Sequence, residues 1–153
     1  QSFEKDKYYL SAFELASKLV NRSKDNYQLA LQVLDAAKSD KSVVLGYQGF
    51  IYENMKDYDK AEDYYQKAIQ KGDVDVMNYL GRLYETKNEL KKAKNIYNKA
   101  YMLGSVSAGY KLAYILEDEE KEKNPADSNE NEPEKRNKEA KKILERLANS
   151  GDD

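Results

Sequence analysis

Apolar residues recur along most of this chain at intervals of three and four, the spacing of one face of a helix. In DKAEDYYQKAIQKG (59–72), Ala61, Tyr65, Ala68 and Ile69 stand at i, i+4, i+7 and i+8 among charged and amide residues. Just before it, Leu45, Phe50 and Ile51, with Tyr47 and Tyr52, recur at helical steps. Both stretches read as amphipathic helices. The polar breaks between such helices, Asn54 to Asp57 and Thr86 to Asn88, are short, as connections between antiparallel helices are. Gly72 and Gly104 close two of the helical runs and suit the left-handed position beyond a helix C-terminus. Lys71, next to Gly72, also favours the negative end of the helix dipole.

The pattern repeats. YQGFIYE (47–53) returns as YLGRLYE (79–85), an interval of 32 residues from Gly49 to Gly81. The same shift carries Tyr52, Glu53, Ala61, Tyr65, Ala68 and Gly72 onto Tyr84, Glu85, Ala93, Tyr97, Ala100 and Gly104. KLAYILE (111–117) copies the first half again, with Ala113 in place of the glycine. AKKILERLANSG (140–151) copies the second half, Ala140 standing for Ala93 after 47 residues, so an insertion separates the halves of the last repeat. Upstream, YQLALQVLDAAKSD (27–40) places Ala30 on Ala61, and ELASKLVN before it reads as a divergent first helix.

The expected fold is therefore all-α. About four antiparallel helix hairpins, near 8–39, 41–71, 74–104 and 106–150, make a single domain over 1–153, with an acidic inserted loop near 120–134. Small residues set the expected packing: Gly49, Gly81 and Ala113 on the first helices, with Ala61, Ala68, Ala93, Ala100 and Ala140 on the second, let two helices approach closely. Tyrosines such as Tyr65 and Tyr97 then fill the space between.

KAIQKGDVDVMNYLGRLYE (67–85) and KAYMLGSVSAGYKLAYILE (99–117) carry a family resemblance. They resemble the Sel1-like variety of tetratricopeptide-type repeat, K-A-A-x-x-G followed by A-x-x-x-L-G-x-x-Y, and the resemblance covers about residues 10 to 151. The G-x-G loop usual between Sel1-like helices is replaced by ENMKDYDKA and ETKNELKKA, which brings the period nearer the tetratricopeptide length. The resemblance implies a right-handed α-α superhelix, a solenoid whose concave surface is lined by the first helices and binds proteins or peptides.

Carried onto this sequence, the groove positions implied are Phe50, Glu53, Asn78, Arg82, Glu85, Tyr110, Tyr114 and Glu117. Asn78 and Arg82, one turn apart, suit a carboxylate or a peptide backbone. Tyr110 and Tyr114 form an aromatic surface, and Glu53, Glu85 and Glu117 an acidic ladder. Arg and Tyr are the residue types that dominate binding hot spots, and Arg82 is the strongest single candidate. The competing reading has the tyrosines filling core between hairpins and the glutamates solvating helix ends. The Lys and Asn pattern with which some tetratricopeptide domains clamp a C-terminal carboxylate is not reproduced.

Composition narrows the function. Charged residues make up 35% of the 153-residue chain, yet the formal net charge is −2, so opposite charges are intermixed and argue against a dedicated nucleic-acid or anionic-membrane surface. There is no Cys and no His, which excludes disulfides, thiolate chemistry and imidazole catalysis or ligation. No cofactor or metal is expected. Asp127, Asn129 and Asn131 imitate the start of a calcium loop, but Glu132 and Lys138 occupy the places of its glycine and bidentate glutamate. No apolar run approaches the roughly 20 residues that cross a bilayer, so the chain is expected to be soluble. It opens on Gln1 rather than Met, and the sequence assigns no compartment: a cytoplasmic chain and an exported one whose targeting segment has been removed are both open readings.

The expected function is thus a non-catalytic interaction module for a protein or peptide partner. A nucleic-acid reading would use Lys91, Lys92, Lys94 and Lys99, or Lys135, Arg136, Lys138, Lys141 and Lys142. Interleaving of both clusters with acids makes a solvated helix face the stronger reading. An enzyme would need paired carboxylates such as Glu62 and Asp63 or Asp73 and Asp75, but near neighbours on a helix do not face one another. Stacking of hairpins end to end leaves self-association as a further expectation.

Overall fold

The computed structural model describes residues 2–123, 125 and 137–151, with side chains from Lys7 onward. Among them the elements are helices: α1 (Ser2–Arg22), α2 (Tyr27–Ala36), α3 (Ser42–Asn54), α4 (Tyr58–Gln70), α5 (Val74–Thr86), α6 (Leu90–Met102), α7 (Val106–Lys123) and α8 (Lys138–Asn149). A 3-10 turn, Lys24–Asn26, leads into α2. This is the all-α hairpin class that the periodicity predicts. α7 continues to Lys123, carrying the helix into the acidic stretch. The calcium-loop imitation at Asp127, Asn129, Asn131 and Glu132 lies outside the described residues, as do Lys135 and Arg136.

Helix starts are written in the sequence as caps. Asp57, Asp73, Ser105 and Asn137 each accept a backbone N–H from the first turn of the following helix, at 3.0–3.3 Å. Those bonds satisfy donors that a helix N-terminus otherwise leaves open. Helix ends use left-handed residues. Gly72 and Gly104 have φ of 90° and 97°. Beyond Gly104 the Ser105 N–H reaches back to the Ala100 carbonyl at 2.9 Å, the hydrogen bond that closes such an end. The same closure follows α3 and α5, where Asp57 N–H donates to the Tyr52 carbonyl and Glu89 N–H to that of Tyr84. There the left-handed residues are Lys56 and Asn88, at φ 66° and 59°.

The chain divides into two compact units, Gln1–Tyr79 and Leu80–Asp153. In the first, α1 pairs with α2 and α3 with α4. Its core gathers Ala16, Ala30, Leu31, Leu34, Val44 and Ile51, all essentially buried. Gln48 brings an amide into this interior: it is 4% exposed, and its Nε2 donates to Asp35 Oδ1 at 2.7 Å. Gly49 lies directly against the Tyr65 ring, and a Cβ there would stand 2.6 Å from ring Cδ1. That overlap is far inside any real carbon contact, so the glycine is what admits the ring. Tyr65 is fully buried, and stacks on Tyr79 with ring centres 6.2 Å apart.

The second unit repeats the device. Gly81 lies against Tyr97, itself 1% exposed, and a Cβ would stand 2.5 Å from Tyr97 Cζ. Ala93, Ala100, Ala108, Ala113 and Ala140 are buried, with Leu112, Ile115, Ile143 and Leu147 completing the interior. α7 packs on both α6 and α8. Gly109 provides a further close approach, to Tyr101 of α6 and Leu147 of α8.

Candidate protein-interaction surface

The two glutamates of the repeated Tyr-Glu pair have structural partners. Tyr65 Oη donates to Glu53 Oε2 at 2.5 Å, and Tyr97 Oη to Glu85 Oε2 at 2.6 Å. Each bond runs from the second helix of a hairpin to the first, twelve residues back, and delivers the hydroxyl of a buried ring to a half-buried carboxylate. A charged acceptor makes such bonds about twice as strong as neutral ones. Burial raises the Tyr97 hydroxyl far above the ordinary tyrosine value, the Glu85 carboxylate raises it further, and the nearby Arg82 charge opposes both. Glu53 and Glu85 thus hold their hairpins together whatever else they meet. Glu117 is half-buried on α7, where the register places Leu144 in the position of the tyrosine.

In the first unit, Phe50 is half-buried, packs against the core, and stacks on Tyr47 at 5.7 Å. Asn78 is half-buried on α5. In the second unit, Arg82 is exposed on α5. Tyr110 and Tyr114, one turn apart on α7, are 53% and 67% exposed. The reading of these tyrosines as core fill is therefore incorrect: the interior face of α7 is met by Ala108, Gly109, Leu112, Ala113, Ile115 and Leu116, leaving 110 and 114 on the outer side.

Sequence reasoning missed a continuation of that exposed surface. Met102 and Leu103 at the α6–α7 corner, and Val106 at the start of α7, are 76%, 62% and 51% exposed. The signal that reveals them is the repeat register. Shifted back by one period, Met102, Leu103, Tyr110 and Tyr114 fall on Gln70, Lys71, Asn78 and Arg82, all polar. The first unit also holds an open, mostly apolar groove lined by Tyr8, Tyr9, Ala12, Leu15, Val33 and Ala36.

The lysines of the nucleic-acid reading are divided. Lys92 pairs with Glu89, and Lys94 with Glu119 at 2.8 Å, while Lys91, Lys99, Lys138, Lys141 and Lys142 are exposed. Interleaving with acids holds for α8 but fails for α6, which contains no Asp or Glu. The carboxylates weighed for catalysis have local roles: Glu62 accepts from Gln66, Asp63 pairs with Lys67 at 3.7 Å, and Asp73 caps α5. Among the described residues no group of three or more Asp or Glu could hold a metal ion, and no helix is long and apolar enough to cross a membrane.

Family models described as tetratricopeptide repeat match residues 42–71 and 74–103. Among solved structures, a crystal structure of MamA superposes with a TM-score of 0.67 at 16% identity, over 95% of this chain and 81% of that one. YrrB, described as a TPR protein with an unusual peptide-binding site, gives 0.60 at 18% identity over 97% and 89%. A Sel1 repeat protein from Oxalobacter formigenes gives 0.58 at 21% identity, over 91% of this chain and 57% of its own. No curated protein matches the chain in sequence. At these identities the structural likeness speaks to the fold. The two matched repeats support a protein–protein interaction module in general terms, and tetratricopeptide repeats generally serve non-catalytic scaffolds.

Proposed function

We propose, from the premise that this chain is a tetratricopeptide-repeat protein over residues 42–71 and 74–103, that it is a non-catalytic adaptor binding a peptide or protein segment on the first helices of its hairpins. The supporting observation is the exposure of Tyr110 and Tyr114, large aromatic residues that the packing of α7 does not use. Arg82, exposed one period before Tyr114, adds a planar cation suited to carboxylate and backbone oxygen. On the first unit by itself this reading uses Phe50, Glu53 and Asn78, and on the second Glu85 and Glu117. The peptide-binding site of YrrB is in keeping with such a role.

Affinity capture from a lysate tests it, comparing the native chain with an Arg82→Glu, Tyr114→Ala variant whose circular dichroism and melting match the native chain. A protein retained by the first and lost by the second is the expected result. An identical set from both would remove the first-helix surface from consideration.

A further inference from the structure

Met102, Leu103, Val106, Tyr110 and Tyr114 are each more than half exposed and together cover the α6–α7 corner and the outer side of α7. Val106, Tyr110 and Tyr114 recur at i, i+4 and i+8, so they form a stripe about 12 Å long at 1.5 Å per residue, two turns of helix. At four of the five positions the architecture does not require an apolar residue, Val106 alone keeping an apolar equivalent. The preceding repeat builds the same positions with Gln70, Lys71, Val74, Asn78 and Arg82. An exposed apolar stripe that the fold does not need marks an interaction surface.

The charge beside the stripe as far as Tyr114 is basic, and past Tyr114 the exposed Asp118 opens the acidic end of α7. From Leu90 to Leu116 the sequence carries Lys91, Lys92, Lys94, Lys99 and Lys111 and no Asp or Glu, in a chain whose formal net charge is −2. Lys92 and Lys94 are neutralised by Glu89 and Glu119. Lys99, one turn before the α6–α7 corner, and Lys111, beside Tyr110, remain exposed and flank the stripe. Apolar contacts two turns long with cations alongside are complementary to one kind of partner.

We propose that this surface binds an amphipathic helical segment of a protein partner, with aliphatic side chains at i, i+4 and i+7 and Asp or Glu flanking them. This rests on the adaptor reading and gives that reading a partner class. Aliphatic groups seat against Met102, Leu103, Val106 and the tyrosine faces, while acids meet Lys99 and Lys111. Charge complementarity of this kind acts mainly on encounter rate and partner choice, and the apolar stripe on residence time.

Selection from a displayed library of random peptides against the intact chain tests the proposal. The expected outcome is enrichment of peptides with aliphatic residues at helical spacing and flanking acids. Their binding, measured on synthetic peptides, should weaken about tenfold or more on Met102→Ser, Val106→Ser, and separately on Lys99→Glu, Lys111→Glu. These positions are exposed, and melting curves of each variant verify its fold. Enrichment of neutral or basic peptides, or binding indifferent to both double variants, overturns it. So does preference for polyuridine RNA or for phosphatidylserine-containing vesicles over every selected peptide. A lysate partner lost on Arg82→Glu, Tyr114→Ala with no acidic amphipathic peptide enriched would leave the adaptor reading standing and this one refuted.

Discussion

Gly81 lies beneath the Tyr97 ring at a distance no side chain would allow, since a Cβ there would stand 2.5 Å from Cζ. Gly49 and Tyr65 stand in the same relation one repeat earlier. The glycine lets the ring lie flat between two helices, and the ring's hydroxyl then reaches a carboxylate on the helix that carries the glycine. Where the last repeat has Leu144 in the tyrosine's place, Ala113 replaces the glycine.

Gly81→Ala is accordingly expected to destabilise the protein by about 1–3 kcal/mol, the range for overpacking a filled core. This outweighs the roughly 1 kcal/mol that alanine gains over glycine in a helix interior. Removing the ring should reverse the sign of the substitution. In a Tyr97→Leu background, Gly81→Ala is expected to be neutral or stabilising, and urea denaturation of the four species measures the coupling directly.

Lys56 carries a left-handed backbone, φ 66°, at the position that Gly72 and Gly104 fill elsewhere. Its side chain is exposed. Lys56→Gly is expected to raise stability by up to about 1 kcal/mol, the relief of left-handed strain set against the extra freedom of glycine when unfolded. A thermal melt showing a lower midpoint would contradict this.

Gln48 brings an amide into a position that the next two repeats build with Leu80 and Leu112, both buried. Its Nε2 is satisfied by Asp35. Asp35→Ala should therefore cost about 1–3 kcal/mol by stranding the buried donor. In a Gln48→Leu background the same substitution should cost almost nothing. Equal losses in both backgrounds, read from denaturant midpoints, would place the role of Asp35 elsewhere.

The helices and hairpins were legible because the same physical demand recurs every 32 residues: a small residue opposite a tyrosine, alanines at the crossing, a polar turn. Gly72 and Gly104 announce left-handed helix ends, and Asn88 suits one, whereas Lys56 does not, because there the helix-closing hydrogen bonds impose that backbone on a residue with no preference for it. Gln48 was illegible for a related reason: its burial depends on an aspartate thirteen residues away. The exposure of Tyr110 and Tyr114 escaped periodicity because tyrosine serves both core and surface. Only the outer placement on α7, together with polar equivalents in the preceding repeat, separates the two roles.

The Tyr97–Glu85 bond also gives stability a pH dependence of known sign. Burial holds the Tyr97 proton well above the ordinary tyrosine value, and the carboxylate that accepts it strengthens the hold. The unfolded chain releases that proton near pH 10. Between that pH and the higher value of the folded state, the native protein carries a proton the unfolded chain has lost, so stability falls as pH rises. Burial raises Tyr47 and Tyr64 in the same direction, adding to the slope. Below about pH 10 the contribution is fully present. Tyr97→Phe is expected to lower stability at pH 7 by about 1.5–3 kcal/mol through loss of a hydrogen bond to a charged acceptor, and to flatten the decline above pH 10. Urea denaturation at steps from pH 7 to 11 separates the two effects. A variant that is weaker at neutral pH yet declines in parallel with the native protein at alkaline pH would show that the Tyr97 proton does not set the slope.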